Sequence, residues 1–200
     1  MTRRVVFLPG AGGAPEFWRP VGALLPDSWE KEFLAWPGLG SQPASPDVRG
    51  FDDLVRLGRN RLTKPSAVVA QSMGGVVALR LALACPDLVE RLVLVATSGG
   101  LDVAALGAAS RQDDYAREFP DAAPWIRDPV PDLTAELAAI AAPTLLLWGD
   151  ADTVSPVAIG EQLRELIPRA SLAVLPGAGH DLAVTRADEA AALVLEHLGS

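Results

Sequence analysis

The chain has 200 residues, half of them apolar and 21% charged, with 25 acidic against 17 basic side chains and a formal net charge of −8. That length suits one domain, residues 1–200, which buries about 70% of its unfolded surface and needs no disulfide or metal. The acidic balance disfavours nucleic acid or an anionic membrane surface as partner.

A single cysteine, Cys85, permits no internal disulfide and offers no metal-ligand spacing. The longest mostly apolar stretch, Leu137 to Trp148, is too short for a membrane span and contains Pro143. No long apolar segment precedes the first strand-like run, so a soluble cytoplasmic protein is expected.

In chain order, Val5 to Leu8 reads as the first strand, ended by Pro9-Gly10-Ala11-Gly12-Gly13. Lys31 to Trp36 reads as the second, less apolar, as suits a sheet edge. Phe51 to Leu62 carries apolar residues at helical spacing. Ser66 to Ala70 is the third strand, and Gly74 to Cys85 the helix after it. Leu92 to Ala96 is the fourth strand.

From Ser98 to Ile140 no strand pattern occurs. A structureless loop of that length does not suit a compact domain. An inserted helical segment is expected there, with Ala109 to Phe119 as its best helix. Thr144 to Trp148 and Leu172 to Leu175 complete the strands. Pro156 to Ile167, capped by Ser155, and Ala187 to Leu198 complete the helices. Strands apolar on both faces, separated by helices, predict an α/β fold with a parallel sheet covered on both sides.

The third strand ends in Ala70-Gln71-Ser72-Met73-Gly74-Gly75, and a helix begins at once. A serine between small residues at such a turn fits a nucleophile elbow, although the upstream position is Ala70 rather than the usual glycine. The blander reading is a serine that caps the helix. A serine hydroxyl needs a base within reach and a group to orient that base. His180 follows the last strand in a loop, where open α/β sheets gather their sites. His197 lies in the closing helix and reads as a plain solvent-facing residue. Asp150 and Asp152 both follow the fifth strand, and either could be the orienting acid. The order Ser, Asp, His is that of the α/β-hydrolases. Trp18 and Trp125 are pocket candidates, whereas Trp36, Trp148 and Cys85 read as packing residues.

On these residues the chain resembles the α/β-hydrolase superfamily. The resemblance is carried by Ala70-Gln71-Ser72-Met73-Gly74-Gly75, Leu146-Leu147-Trp148-Gly149-Asp150-Ala151-Asp152, Pro176-Gly177-Ala178-Gly179-His180 and Leu8-Pro9-Gly10-Ala11-Gly12-Gly13. It implies a catalytic set of Ser72, Asp152 and His180, with Asp150 as a turn residue. It implies oxyanion donors at the N–H groups of Ala11 and Met73, with Gly10 beside them. Pro9 stands where the family's oxyanion loop usually has histidine. It implies a six-stranded, doubly wound, mainly parallel sheet in order 2-1-3-4-5-6, lacking the family's first two strands. The cap would be a short insertion over residues 99–140.

The implied activity is hydrolysis of a small carboxylic ester or thioester through an acyl-enzyme, with no cofactor and no metal. Serine at the elbow argues against the dehalogenase and epoxide-hydrolase branches. A non-hydrolytic member, of the lyase or menaquinone-pathway synthase type, is the alternative, and a catalytically silent binding protein the third reading.

Overall fold

The computed structural model describes residues 3–199. Six strands form one sheet: β1 (Arg4–Leu8), β2 (Glu30–Phe33), β3 (Ser66–Gln71), β4 (Val89–Val95), β5 (Thr144–Gly149) and β6 (Ala170–Leu175). All neighbouring pairs are parallel, in the order β2-β1-β3-β4-β5-β6. This is the order that the family resemblance implies.

The alternation of side chains along a strand divides the core into two layers. Val6, Leu8, Val68, Ala70, Leu92, Leu94, Leu146 and Trp148 face one side. There they pack against α2 (Phe51–Arg61), α3 (Met73–Ala84) and α5 (Val157–Leu166). Val5, Phe7, Ala67, Val69, Val93, Val95, Leu145 and Leu147 face the other. They meet α1 (Arg19–Leu24), α6 (Leu182–Thr185) and α7 (Ala187–Gly199). Because the middles of β1, β3 and β5, and β4 from Leu92 on, are buried on both faces, residues 5–8, 67–70, 92–95 and 145–148 are continuous apolar runs. The edge strands β2 and β6 are more exposed, and β2, Glu30-Lys31-Glu32-Phe33, is also the most polar.

Several boundaries differ from the sequence reading. The second strand ends at Phe33, because Trp36 leaves the sheet: its Nε1 donates to the Pro9 carbonyl at 2.7 Å. The helix α5 starts at Val157, after an extended Pro156. Ser155 does not cap it; its hydroxyl donates to the Thr97 carbonyl. The short helices α1 and α6 were not expected at all. Within 99–140, one α-helix forms, α4 (Gln112–Glu118), shorter than the expected Ala109 to Phe119, with single 3-10 turns around it. No helix among the described residues is long and apolar enough to cross a membrane.

His197 corrects another expectation. It is partly buried on α7, against the N-terminal side of the sheet, and so is not plainly solvent-facing. Burial, followed by the charge of Arg91, lowers its pKa below the ordinary imidazole value, against hydrogen bonds at Pro143 and Leu92 that raise it. With the folded pKa depressed, the unfolded chain takes up the proton first as pH falls through about 6.5, and stability drops there. The loss of denaturant stability between about pH 7.5 and about pH 5.5 should be smaller in His197→Gln than in the wild type. Parallel curves for the two proteins would contradict this.

Candidate active site

The parallel register brings the strand ends together. Leu8 lies opposite Ala70, and Gln71 opposite Val95, so the chain leaves β1, β3 and β4 at one rim. The strand order reverses between β1 and β3, which is where such sheets open a crevice.

Ser72 sits between β3 and α3 at φ 51°, ψ −125°, a conformation that costs a non-glycine residue on the order of 1–3 kcal/mol. The surroundings hold it there. Its N–H donates to the Val95 carbonyl at 2.9 Å. Its carbonyl accepts from the Gly75 N–H at 2.9 Å and from the Thr97 hydroxyl at 2.6 Å. Gly74 is required by close approach, since a Cβ there would stand 2.3 Å from the Pro9 carbonyl oxygen. No side-chain cap bond is made, so the helix-capping reading of Ser72 does not hold.

His180 follows β6, and its Nδ1 lies 2.8 Å from Asp152 Oδ2. The Asp152 side chain is fully enclosed. Its other oxygen accepts from the backbone N–H groups of Val154 and Ser155 at 2.8 and 2.9 Å. Both carboxylate oxygens are thereby used, which fixes the orientation of the imidazole and leaves Nε2 for a reacting proton. Asp150 takes a different part: exposed, it accepts from the Gly177 N–H at 2.6 Å and braces the turn that leads to His180.

Thr97 and Ser155 join the two halves of the site. Thr97 donates to the Ser72 carbonyl, while its own carbonyl accepts from Ser155, which in turn accepts from Trp148 Nε1 at 3.2 Å.

Ser72 and His180 line one cavity of about 320 Å³, together with Gly10 and Ala11. No hydrogen bond joins the Ser72 hydroxyl to His180 among the described residues; such bonds often tighten only when substrate is bound. The N–H groups of Ala11 and Met73 have no backbone acceptor among the described residues. The Met73 N–H is one of the free first-turn donors of α3, while its side chain packs into the core. Peptide 10–11 is held by the bond from the Gly13 N–H to the Gly10 carbonyl at 3.0 Å.

The two tryptophans expected at the pocket are elsewhere. Trp18 is 1% exposed, packed on Phe7, with Nε1 donating to the Leu8 carbonyl at 2.9 Å. Trp125 packs against the core layer beneath α2 and α3 and does not reach the cavity.

The residues that take their place are Phe17, Gln71, Arg111, Tyr115, Phe119 and Val154. Tyr115, from α4, ties the 99–140 segment to the floor. Its hydroxyl donates to the Ala11 carbonyl at 2.9 Å and accepts from the Gly40 N–H at 2.8 Å. Partial burial raises its pKa, keeping the phenol a donor. Gln71 was within sight, inside the elbow motif itself. Tyr115, the chain's one tyrosine, carried no positional signal.

Residues 5–193 match the alpha/beta hydrolase family. The pimeloyl-[acyl-carrier protein] methyl ester esterase of Neisseria meningitidis is 28% identical over 238 aligned residues, covering 96% of this chain and 92% of that protein. The polyketide synthase ThaQ of Burkholderia thailandensis is 30% identical over 242 residues. That match covers 98% of this chain, which spans only 12% of the synthase. Among solved structures, a thermophilic esterase from Thermogutta terrifontis superposes with a TM-score of 0.76 at 22% identity. It matches over 99% of this chain and 90% of that one, a likeness of fold.

Proposed function

The chain belongs to the alpha/beta hydrolase family, and we propose that it is a serine esterase acting on a small carboxylic ester or thioester through an acyl-enzyme. One observation carries the reading. A histidine locked by an enclosed aspartate shares a small cavity with a serine held at a strained strand-to-helix turn. The relative named as a methyl ester esterase supports the same reaction class.

In this mechanism His180 Nε2 takes the Ser72 proton as the hydroxyl oxygen attacks the acyl carbon. Asp152 keeps Nδ1 protonated and stabilises the imidazolium. The N–H groups of Ala11 and Met73 receive the oxyanion, each such donor being commonly worth ~10²–10³ in rate. The tetrahedral adduct collapses, the C–O or C–S bond breaks, and the leaving group takes its proton from His180. Water, activated by the same imidazole, then releases the acid and restores Ser72.

The cavity of about 320 Å³ lies at the small end of the range of ~300–1,000 Å³ for ligand pockets. A chain that extends beyond it gains no further burial and no further rate. Across p-nitrophenyl esters from acetate to palmitate, kcat/KM should therefore peak among the short acyl chains and then fall. A maximum at palmitate, or activation at a lipid interface, would reject the short-acyl reading.

A further inference from the structure

Gln71 is the last residue of β3 and lines the same cavity as its neighbour Ser72. Only 4% of its surface is exposed. Its amide carries two donor hydrogens and an accepting oxygen, yet makes no hydrogen bond among the described residues. It is also not among the polar atoms sealed from solvent, so what remains exposed opens on the cavity.

Room for the amide is built into the opposite wall. At Gly10, a Cβ would stand 2.2 Å from Gln71 Oε1 and 3.1 Å from the Ser72 Cβ. Any larger residue there would displace the amide from the nucleophile's side. An amide that opens on the cavity is left unpaired by a ligand that displaces solvent without offering a polar group, and a ligand that pairs with it avoids that cost.

Its place indicates which half of the substrate it meets. The leaving group must face His180, which returns its proton. Gln71 instead leans on Gly10, beside the Ala11 N–H that would receive the oxyanion; with the leaving group toward His180, the acyl chain is the part of the substrate left to meet it. The substituent it suits is neutral, because Glu118 and Asp181 line the cavity against a single guanidinium, that of Arg111. A hydroxyl both donates and accepts, and so can satisfy either end of the amide.

We propose that Gln71 sets substrate choice by hydrogen-bonding a hydroxyl carried on the acyl chain close to the scissile carbonyl, so that short hydroxyacyl esters are preferred over plain alkyl ones. This rests on the esterase reading above. Sites that hydrogen-bond a substrate group discriminate against analogues that lack it, because their own polar atoms are left unpaired.

The test compares kcat/KM for methyl 3-hydroxybutyrate and methyl butyrate in the wild type and in Gln71→Met, which keeps length and loses the amide. The wild type should favour the hydroxy ester by roughly ten- to a hundredfold. In Gln71→Met the ratio should fall to within about twofold of unity. A wild-type ratio near one overturns the inference without need of any variant, and so does an undiminished ratio in Gln71→Met. Either result, obtained with measurable ester turnover, leaves the esterase reading standing. A wild type that neither turns over any ester nor reacts with a fluorophosphonate at Ser72 removes both.

Discussion

Ser72→Ala and His180→Ala should each lower kcat for a short-chain p-nitrophenyl ester by about 10⁴-fold or more, and the double variant should be little worse than either. The reason is that the serine, the histidine and its proton act as one unit; once the nucleophile is lost, the base has nothing to activate. Strictly multiplicative losses would contradict a shared mechanism. A companion variant separates chemistry from folding. Ser72 is held at φ 51°, where glycine is unstrained. Ser72→Gly should therefore abolish turnover while raising the denaturation midpoint, the mark of strain kept for function. Loss of stability in that variant would mean that the serine is there for the fold.

The second large effect separates the two aspartates. Asp152→Asn should reduce kcat by about 10³–10⁴-fold. An amide at this position can present N–H to Nδ1, which favours the wrong tautomer, and it removes the charge that stabilises the imidazolium. The loss should appear in kcat rather than KM, since Asp152 is enclosed behind His180 and does not line the cavity. Asp150→Asn keeps a carbonyl oxygen for the Gly177 N–H and should leave kcat within the same order of magnitude. The opposite outcome would move the orienting role two residues upstream. Measuring kcat and KM separately for both variants decides between them.

These residues were legible because each stands at the end of an apolar strand, where local sequence carries the signal. The elbow around Ser72, the acidic turn after β5 and the glycine-rich turn before His180 can be read without knowing the sheet. The pattern of strands apolar on both faces likewise pointed to an α/β fold with a covered parallel sheet, whereas the strand order came from the family resemblance. What sequence could not supply was reach.

Trp18 follows the glycine-rich loop and looked like a wall of the pocket. Helical geometry turns it into the core and offers Phe17 instead. Tyr115 bonds to Ala11 across 104 positions of sequence, a pairing set by how the 99–140 segment folds over the rim. His197 misled in the same way, because partial burial on a closing helix depends on the strand ends it covers. Asp152 was separated from Asp150 by family resemblance; the physical distinction, enclosure against exposure, comes only from the tertiary structure.

If Ser72 is an activated nucleophile, a fluorophosphonate will modify it covalently, and mass spectrometry of the treated protein is the decisive test. The wild type should gain a single adduct, mapped to Ser72, with p-nitrophenyl acetate turnover lost in proportion to labelling. Ser72→Ala should take up no adduct and show no turnover. Wild-type protein that hydrolyses the ester yet stays unlabelled, or Ser72→Ala that hydrolyses it at the wild-type rate, would contradict the assignment.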